Sequence, residues 1–220
     1  MDDRHPALQV IAFELGPLAT MTYIVNAVGG ESAAVVDPAA PVGPIAARLD
    51  EAGLAPEAML LTHGHGDHIS GVTGLREIYP RVRIVVGGKD AGLLTDPVAN
   101  FSLVFGGAVK SPPADFLVTD GASVNAAGLE FSVIGLPGHS RGGVGYFLRP
   151  ETTGGAGVLF VGDTVFAGSV GRTDFPGGDV ETLVRSIREE ILSLEDETVL
   201  YPGHGPVTTV GRERRTNPFF

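Results

Sequence analysis

The chain has 220 residues, 43% of them hydrophobic, with 32 Gly, 16 Pro and a formal charge of −11 from 15 basic and 26 acidic side chains. That length can bury a large core, and no charged, Ser-rich or Pro-rich linker divides it, so a single domain over residues 1–220 is expected. The acidic balance disfavours a phosphate backbone as partner, and the longest apolar runs fall well short of a membrane span, so neither nucleic acid nor membrane is expected.

In chain order, apolar runs predict strands at Leu8–Phe13, Thr22–Val28 and Ser32–Asp37. A helix follows over Val42–Ala52, with Ile45, Leu49 and Ala52 on one face and Gly53 as its left-handed stop. Then come a strand at Ala58–Leu61, a helix at Gly71–Tyr79 ended by Pro80, and a strand at Val82–Val86. The Gly- and Pro-punctuated stretch Gly87–Asp115 reads as short helix and loop. Strands return at Glu130–Leu136, Gly143–Leu148 and Val158–Gly162. A last helix over Asp179–Leu194 carries Leu183, Ile187 and Ile191 at spacings of four, before a strand at Thr198–Tyr201. Strands in runs, then alternating with helices, predict two mixed sheets packed together with helices outside.

The run Thr62-His63-Gly64-His65-Gly66-Asp67-His68 crowds four metal-competent side chains behind the Ala58–Leu61 strand. Imidazole and carboxylate are the usual ligand pair for zinc, with iron and manganese also suited. The spacing is not helical, whereas a loop leaving a strand can aim these groups at one point, and Gly64 and Gly66 allow a tight fold there. Three further strands end the same way, in His139 (Pro137-Gly138-His139), Asp163 (Gly162-Asp163) and His204 (Pro202-Gly203-His204). His5 has no such setting and reads as a mobile terminal residue. Asp37, ending a buried strand before Pro38, reads either as an acceptor for a ligand histidine or as a plain turn-initiating Asp. Cysteine is absent, so disulfides and thiol chemistry are excluded. The acidic start Met1–Pro6 lacks the pattern of a signal peptide, and a cytoplasmic protein is expected.

The order His-x-His-x-Asp-His, Gly-His, Gly-Asp, Pro-Gly-His resembles the metallo-β-lactamase superfamily. The runs Gly171–Gly178 and Glu213–Phe219 look like its short bacterial glyoxalase II-like branch, and the resemblance covers about Ala12 to Phe220. It implies an αββα four-layer sandwich and a two-metal site. In that reading His63, His65 and His139 hold one ion, Asp67, His68 and His204 the other, and Asp163 joins both. Two divalent ions, Zn2+ with Fe or Mn as alternatives, share a bridging hydroxide that attacks a small-molecule thioester such as S-D-lactoylglutathione. Asp67 and Asp163 are then catalytic as well as ligating.

Arg172, nine residues after Asp163, falls where glyoxalase II enzymes commonly place a basic residue against a glutathione carboxylate; a salt bridge with Asp174 or Asp179 is the competing reading. The tail Arg212–Arg215 with Asn217-Pro218 reads as packing or capping. Two departures stand out. The chain ends too soon after His204 for the C-terminal helical domain of full-length glyoxalase II, and Gly205-Pro206 replaces the acidic residue and tyrosine usual there. Another acyl thioester or a lactone would meet the same attack. The main alternative is a mononuclear iron persulfide dioxygenase, which this chain resembles around Gly171–Phe175, although such enzymes usually carry Ala where Gly203 stands. A non-enzymatic protein with a structural metal staple is disfavoured, because seven ligands for one or two ions leave open positions typical of catalysis.

Overall fold

The computed structural model describes residues 2–4, as backbone, and residues 7–220; His5 lies outside the described residues. Strands β1 (Asp2–Arg4), β2 (Leu8–Leu15) and β3 (Thr20–Ala27) run antiparallel, and β4 (Ser32–Val36) joins β3 in the same sense. After helix α1 (Gly43–Ala52), strand β5 (Ala55–Leu61) pairs parallel to β4. The helical turn α2 (Gly66–Ile69) and helix α3 (Val72–Ile78) lead to β6 (Arg83–Gly87) and, after 3-10 segments at Gly88–Thr95 and Ser102–Phe105, to β7 (Phe116–Val118). The seven strands of this first sheet lie side by side in chain order.

The second sheet takes β8 (Ser123–Ala126), β9 (Leu129–Gly135) and β10 (Val144–Leu148), then, after the single turn α4 (Pro150–Thr153), β11 (Val158–Gly162). A small hairpin, β12 (Val165–Phe166) and β13 (Ser169–Val170), precedes α5 (Val180–Ser186). Strands β14 (Val199–Pro202) and β15 (Thr208–Thr209) and helix α6 (Val210–Thr216) complete the chain. The order is β15-β14-β11-β10-β9-β8, with β11 and β14 the parallel pair.

Period-two alternation sorts the side chains into layers. Ala34, Val36, Ala58, Leu60 and Val85 face Tyr146, Leu148, Val158, Phe160 and Tyr201 of the other sheet. Their neighbours Val35, Met59, Leu61, Ile84 and Val86 turn outward against Ile45 and Leu49 of α1 and Val72 and Leu75 of α3. On the far side Phe147, Leu159, Val161 and Leu200 pack with Leu183, Ile187, Ile191 and Val210. Burial on both faces explains why Ala33–Val36, Ala58–Leu61 and Val158–Val161 read as unbroken apolar runs. The result is the expected αββα sandwich.

Three details differ from the sequence reading. In α1 the buried face is Ile45, Ala46 and Leu49, and Ala52 is exposed; Gly53, at φ 65°, does end the helix. The helix over Asp179–Leu194 is α-helical only through Ser186 and continues as a π turn over Ile187–Ile191, closed by Leu192 N–H donating to Ile187 O at 2.8 Å. The short strands β1, β7, β8, β12, β13 and β15 and helix α6 were outside the predicted set. Among the described residues no helix is long and apolar enough to cross a membrane.

Candidate metal centre

The ends of β5, β9, β11 and β14 converge on one cleft and deliver His63, His139, Asp163 and His204 there. The first sheet thus supplies His63, His65, Asp67 and His68, and the second supplies the rest. The His-rich run is a loop only as far as His65. Gly66–Ile69 closes one helical turn, with the amides of His68 and Ile69 bonded to His65 O, and that turn aims Asp67 and His68. Neither Gly64 nor Gly66 has a positive φ. Close approach demands them instead: a Cβ on Gly64 would lie 2.6 Å from Leu93 Cβ, and one on Gly66 2.6 Å from Ser102 Cβ.

Two triads result. His63, His65 and His139 bring one ligand atom each to within 4.8 Å of the others, and so do Asp67, His68 and His204. His65 Nδ1 and His139 Nε2 are 2.8 Å apart. Asp163 lies between the triads: its Oδ2 is 3.6 Å from His139 Nε2 and 3.4 Å from His204 Nε2, and its Oδ1 is 3.3 Å from His68 Nε2. Asp67 Oδ2 is 3.3 Å from His68 Nε2 and 3.4 Å from His204 Nε2. All seven sequence-predicted ligands therefore meet at one place.

The opposite nitrogens of four imidazoles are occupied, which fixes how the rings present themselves. His68 Nδ1 donates to Asp37 Oδ2 at 3.0 Å, His139 Nδ1 to Arg172 O at 2.8 Å and His204 Nδ1 to Ala19 O at 3.3 Å. His63 Nδ1 lies 3.1 Å from Thr62 Oγ1, which itself donates to Asp37 Oδ2 at 2.6 Å, so the Thr62 oxygen is left to accept the imidazole proton. Asp37 Oδ1 also takes the Thr62 amide at 2.7 Å. Asp37 is only 2% exposed and forms a third close group with His63 and His68, but its oxygens are spent on Thr62 and His68, which makes it an orienting group. The first of its two sequence readings is the observed one.

Burial, followed by the neighbouring imidazoles His68 and His139, holds His63 well below the usual imidazole range and His65 at about 3. Both are neutral, as metal ligands must be. Burial alone would raise Asp67 and Asp163, yet the charge of His68 and the contact with His204 outweigh it, leaving Asp67 at about 2 and Asp163 well below the carboxylate range. Burial likewise opposes protonation of His68 and His204, but the two carboxylates prevail, raising His68 well above the imidazole range and His204 to about 10. Protons thus stand where the carboxylates call for a cation.

The donor set fits metal ions on a second observation. His63 Nε2, His68 Nε2 and Asp163 Oδ1 are buried without a hydrogen bond, the last two facing each other only as an ion pair at 3.3 Å. Each such group costs about 1–3 kcal/mol when left unmet. A cation between the triads would satisfy all three.

The cleft over the triads has a volume of about 400 Å³ and is walled by Leu18, Phe101, Phe105, Phe166, Val170 and Phe175. Phe175 stacks on Phe101 with centroids 4.3 Å apart. Arg172 also lines it, lying 3.7 Å over the Phe175 ring. The Arg172 fork is taken by Asp174, with Nε and Nη2 each 2.8 Å from a carboxylate oxygen. Asp179 instead caps α5 through the Thr182 amide. Sequence reasoning missed several residues at the site. Thr62 opened the motif without a role, and its place before His63 was the available signal. Thr20, whose Oγ1 donates to Asp67 Oδ2 at 2.9 Å, carried none.

Comparisons with known proteins agree with this geometry. The chain is 34% identical over 86% of its length to the hydroxyacylglutathione hydrolase GloC of Haemophilus influenzae, covering 87% of that protein. Among solved structures, the BLEG-1 B3 metallo-beta-lactamase is 37% identical with a TM-score of 0.89, matching 96% of this chain and 98% of its own. TTHA1623, solved in a di-iron-bound form, is 37% identical with a TM-score of 0.82, over 96% of this chain and all of its own. ETHE1 from Myxococcus xanthus is 26% identical with a TM-score of 0.77, over 95% and 83%. A family model described as Metallo-beta-lactamase superfamily matches residues 15–204, and the chain belongs to that superfamily of metallohydrolases.

Proposed function

We propose that the chain is a dinuclear metal-dependent thioester hydrolase. The observation that carries this reading is the pair of donor triads meeting at Asp163, with three buried donor atoms unmet. His63, His65 and His139 would hold one divalent ion, Asp67, His68 and His204 the other, with Asp163 common to both; zinc is the first expectation and iron, as in the TTHA1623 likeness, the next. When bound, such ions ionise a water near neutral pH and polarise an acyl carbonyl. The chain's own residues do the rest. Asp37, Thr62, Ala19 O and Arg172 O fix the imidazoles. Asp67, steadied by Thr20, orients the attacking water. Phe101, Phe175, Phe166 and Leu18 shield the reacting carbonyl from bulk solvent. Arg172 Nη1, outside the Asp174 pair, faces the thiol half of the substrate.

GloC supports a glutathione thioester as substrate, and the ETHE1 likeness favours the second reading, a mononuclear iron persulfide dioxygenase. One experiment separates them. Purified protein is assayed for bound metal by mass spectrometry, for thioester hydrolysis with and without chelator, and for oxygen uptake with a persulfide. Two ions per chain and chelator-sensitive hydrolysis are expected. Oxygen consumption on the persulfide, with no hydrolysis of thioesters or lactones by metal-replete protein, overturns the reading.

A further inference from the structure

A second cavity of about 240 Å³ opens beside the β2–β3 turn and adjoins the main cleft. The two share Leu18, Asp67 and Phe105, so they meet along these three side chains. The walls of the second cavity include Leu15, Pro17, Leu18, Ala39, Phe105 and Val109, with no Lys, Arg or His among them.

Its side-chain hydroxyls already donate within the protein, and the other polar side chain on its wall is the Asp67 carboxylate it shares with the main cleft. Thr20 Oγ1 donates to Asp67. Ser70 Oγ donates to Asp67 O and accepts from the Ala40 amide. Ser102 Oγ accepts from the Val109 amide and donates to Pro97 O. A polar guest would lose its water here and find no free side-chain hydroxyl to donate to it, a cost an apolar guest escapes. An apolar cavity of about 150 Å³ suffices for benzene. This one has room for a phenyl ring or a short branched alkyl chain.

We propose that this cavity is the acyl subsite of the enzyme, selecting thioesters of a neutral, apolar acyl group of about phenyl size. The assignment rests on the hydrolase reading above. The acyl side is the one placed here because the thiol half must depart after cleavage, and the larger cleft, lined by Arg172, gives it room and a polar partner.

The test holds the thiol constant as N-acetylcysteamine and varies the acyl group from acetyl to butyryl to phenylacetyl. A second series holds acetyl constant and exchanges N-acetylcysteamine for glutathione. Phenylacetyl should exceed acetyl by at least about tenfold in kcat/KM. Val109→Trp, which fills the cavity, should erase that ratio, and Val109→Ala, a mild truncation that guards against misfolding, should move the optimum to bulkier acyl groups. Toluene added to metal-free protein should shift the NMR methyl signals of Leu15 and Val109 in the native chain, and fail to shift Leu15 in Val109→Trp. Equal rates across the acyl series, or a Val109 effect that follows the thiol instead, overturn the subsite. Toluene binding with no hydrolysis of any thioester overturns the hydrolase reading and the acyl assignment with it, while an apolar cavity remains.

Discussion

Replacing Asp37 with Asn tests whether the buried network beneath the triads sets the metal-binding form of two histidines at once. The substitution keeps shape and removes charge. Asn can keep the Thr62 amide bond with its oxygen, but its NH2 then faces Thr62 Oγ1 and His68 Nδ1, where Asp37 accepted at 2.6 and 3.0 Å. If both contacts are lost, metal-free protein loses about 3–6 kcal/mol, at 1.5–3 kcal/mol for each hydrogen bond to a charged group. If the amide donates instead, His68 moves its proton to Nε2, and Thr62 turns its hydroxyl toward His63 Nδ1, sending that proton to Nε2 as well. Those are the two nitrogens that point into the site unpartnered. Either route costs metal binding, by about 10- to 100-fold in affinity. Competition titration with a chromophoric chelator measures the affinity, and thermal melts of metal-free protein measure the stability. An Asp37→Asn protein with native affinity and native melting would refute the orienting role.

Three further outcomes follow from the same geometry. Asp163→Asn should lower occupancy of both metal positions and Asp67→Asn mainly one, measured as ions per chain after dialysis; the reverse pattern would reject the partition. Arg172→Ala should raise KM for glutathione thioesters by about tenfold or more relative to neutral ones if Nη1 holds a carboxylate. In that variant the Asp174 carboxyl, held at about 2 chiefly by its hydrogen bond to Arg172, should return toward its ordinary value of 3.8 by NMR titration. Because the folded value is depressed, the pair's contribution to stability is present above about pH 4 and fades as pH falls toward 2. Glu213→Ala should strand the Gly168 amide and Thr208 Oγ1, which donate to this fully buried carboxylate, and leave Asn217 Nδ2 with only its bonds to Ser169 O and Phe166 O. A loss of about 3–5 kcal/mol is expected, with faster hydrogen exchange across Val165–Val170; a change under about 0.5 kcal/mol would contradict it.

The convergence of the seven candidate ligands was legible because they are chemically rare residues in Gly-flanked turns after apolar runs, and chemistry and local geometry coincide there. Gly53 and the spacing of Leu183, Ile187 and Ile191 were legible for the same local reason. What escaped depends on distance along the chain. Strands β7, β8, β12 and β13 are two to four residues long and exist because a neighbouring strand pairs with them. Within the Arg212–Arg215 tail Glu213 carries no local mark of its own, and its burial arises only where Gly168 and Asn217 close around it. Thr20 meets Asp67 across 47 positions, and no local pattern encodes that.

The triads draw on both sheets, His63, His65, Asp67 and His68 from one and His139, Asp163 and His204 from the other. An ion seated there would act as a clasp across the seam between two halves of the core. Present at 1,000 times its dissociation constant, one such ion adds about 4 kcal/mol to unfolding, or roughly 8–16 °C in melting temperature for a chain of this size. Starving the protein of metal would therefore do more than silence it. The halves would part more often, the Val10, Tyr23 and Phe160 layer would open to proteases, and the lifetime of the chain would track the metal supply around it.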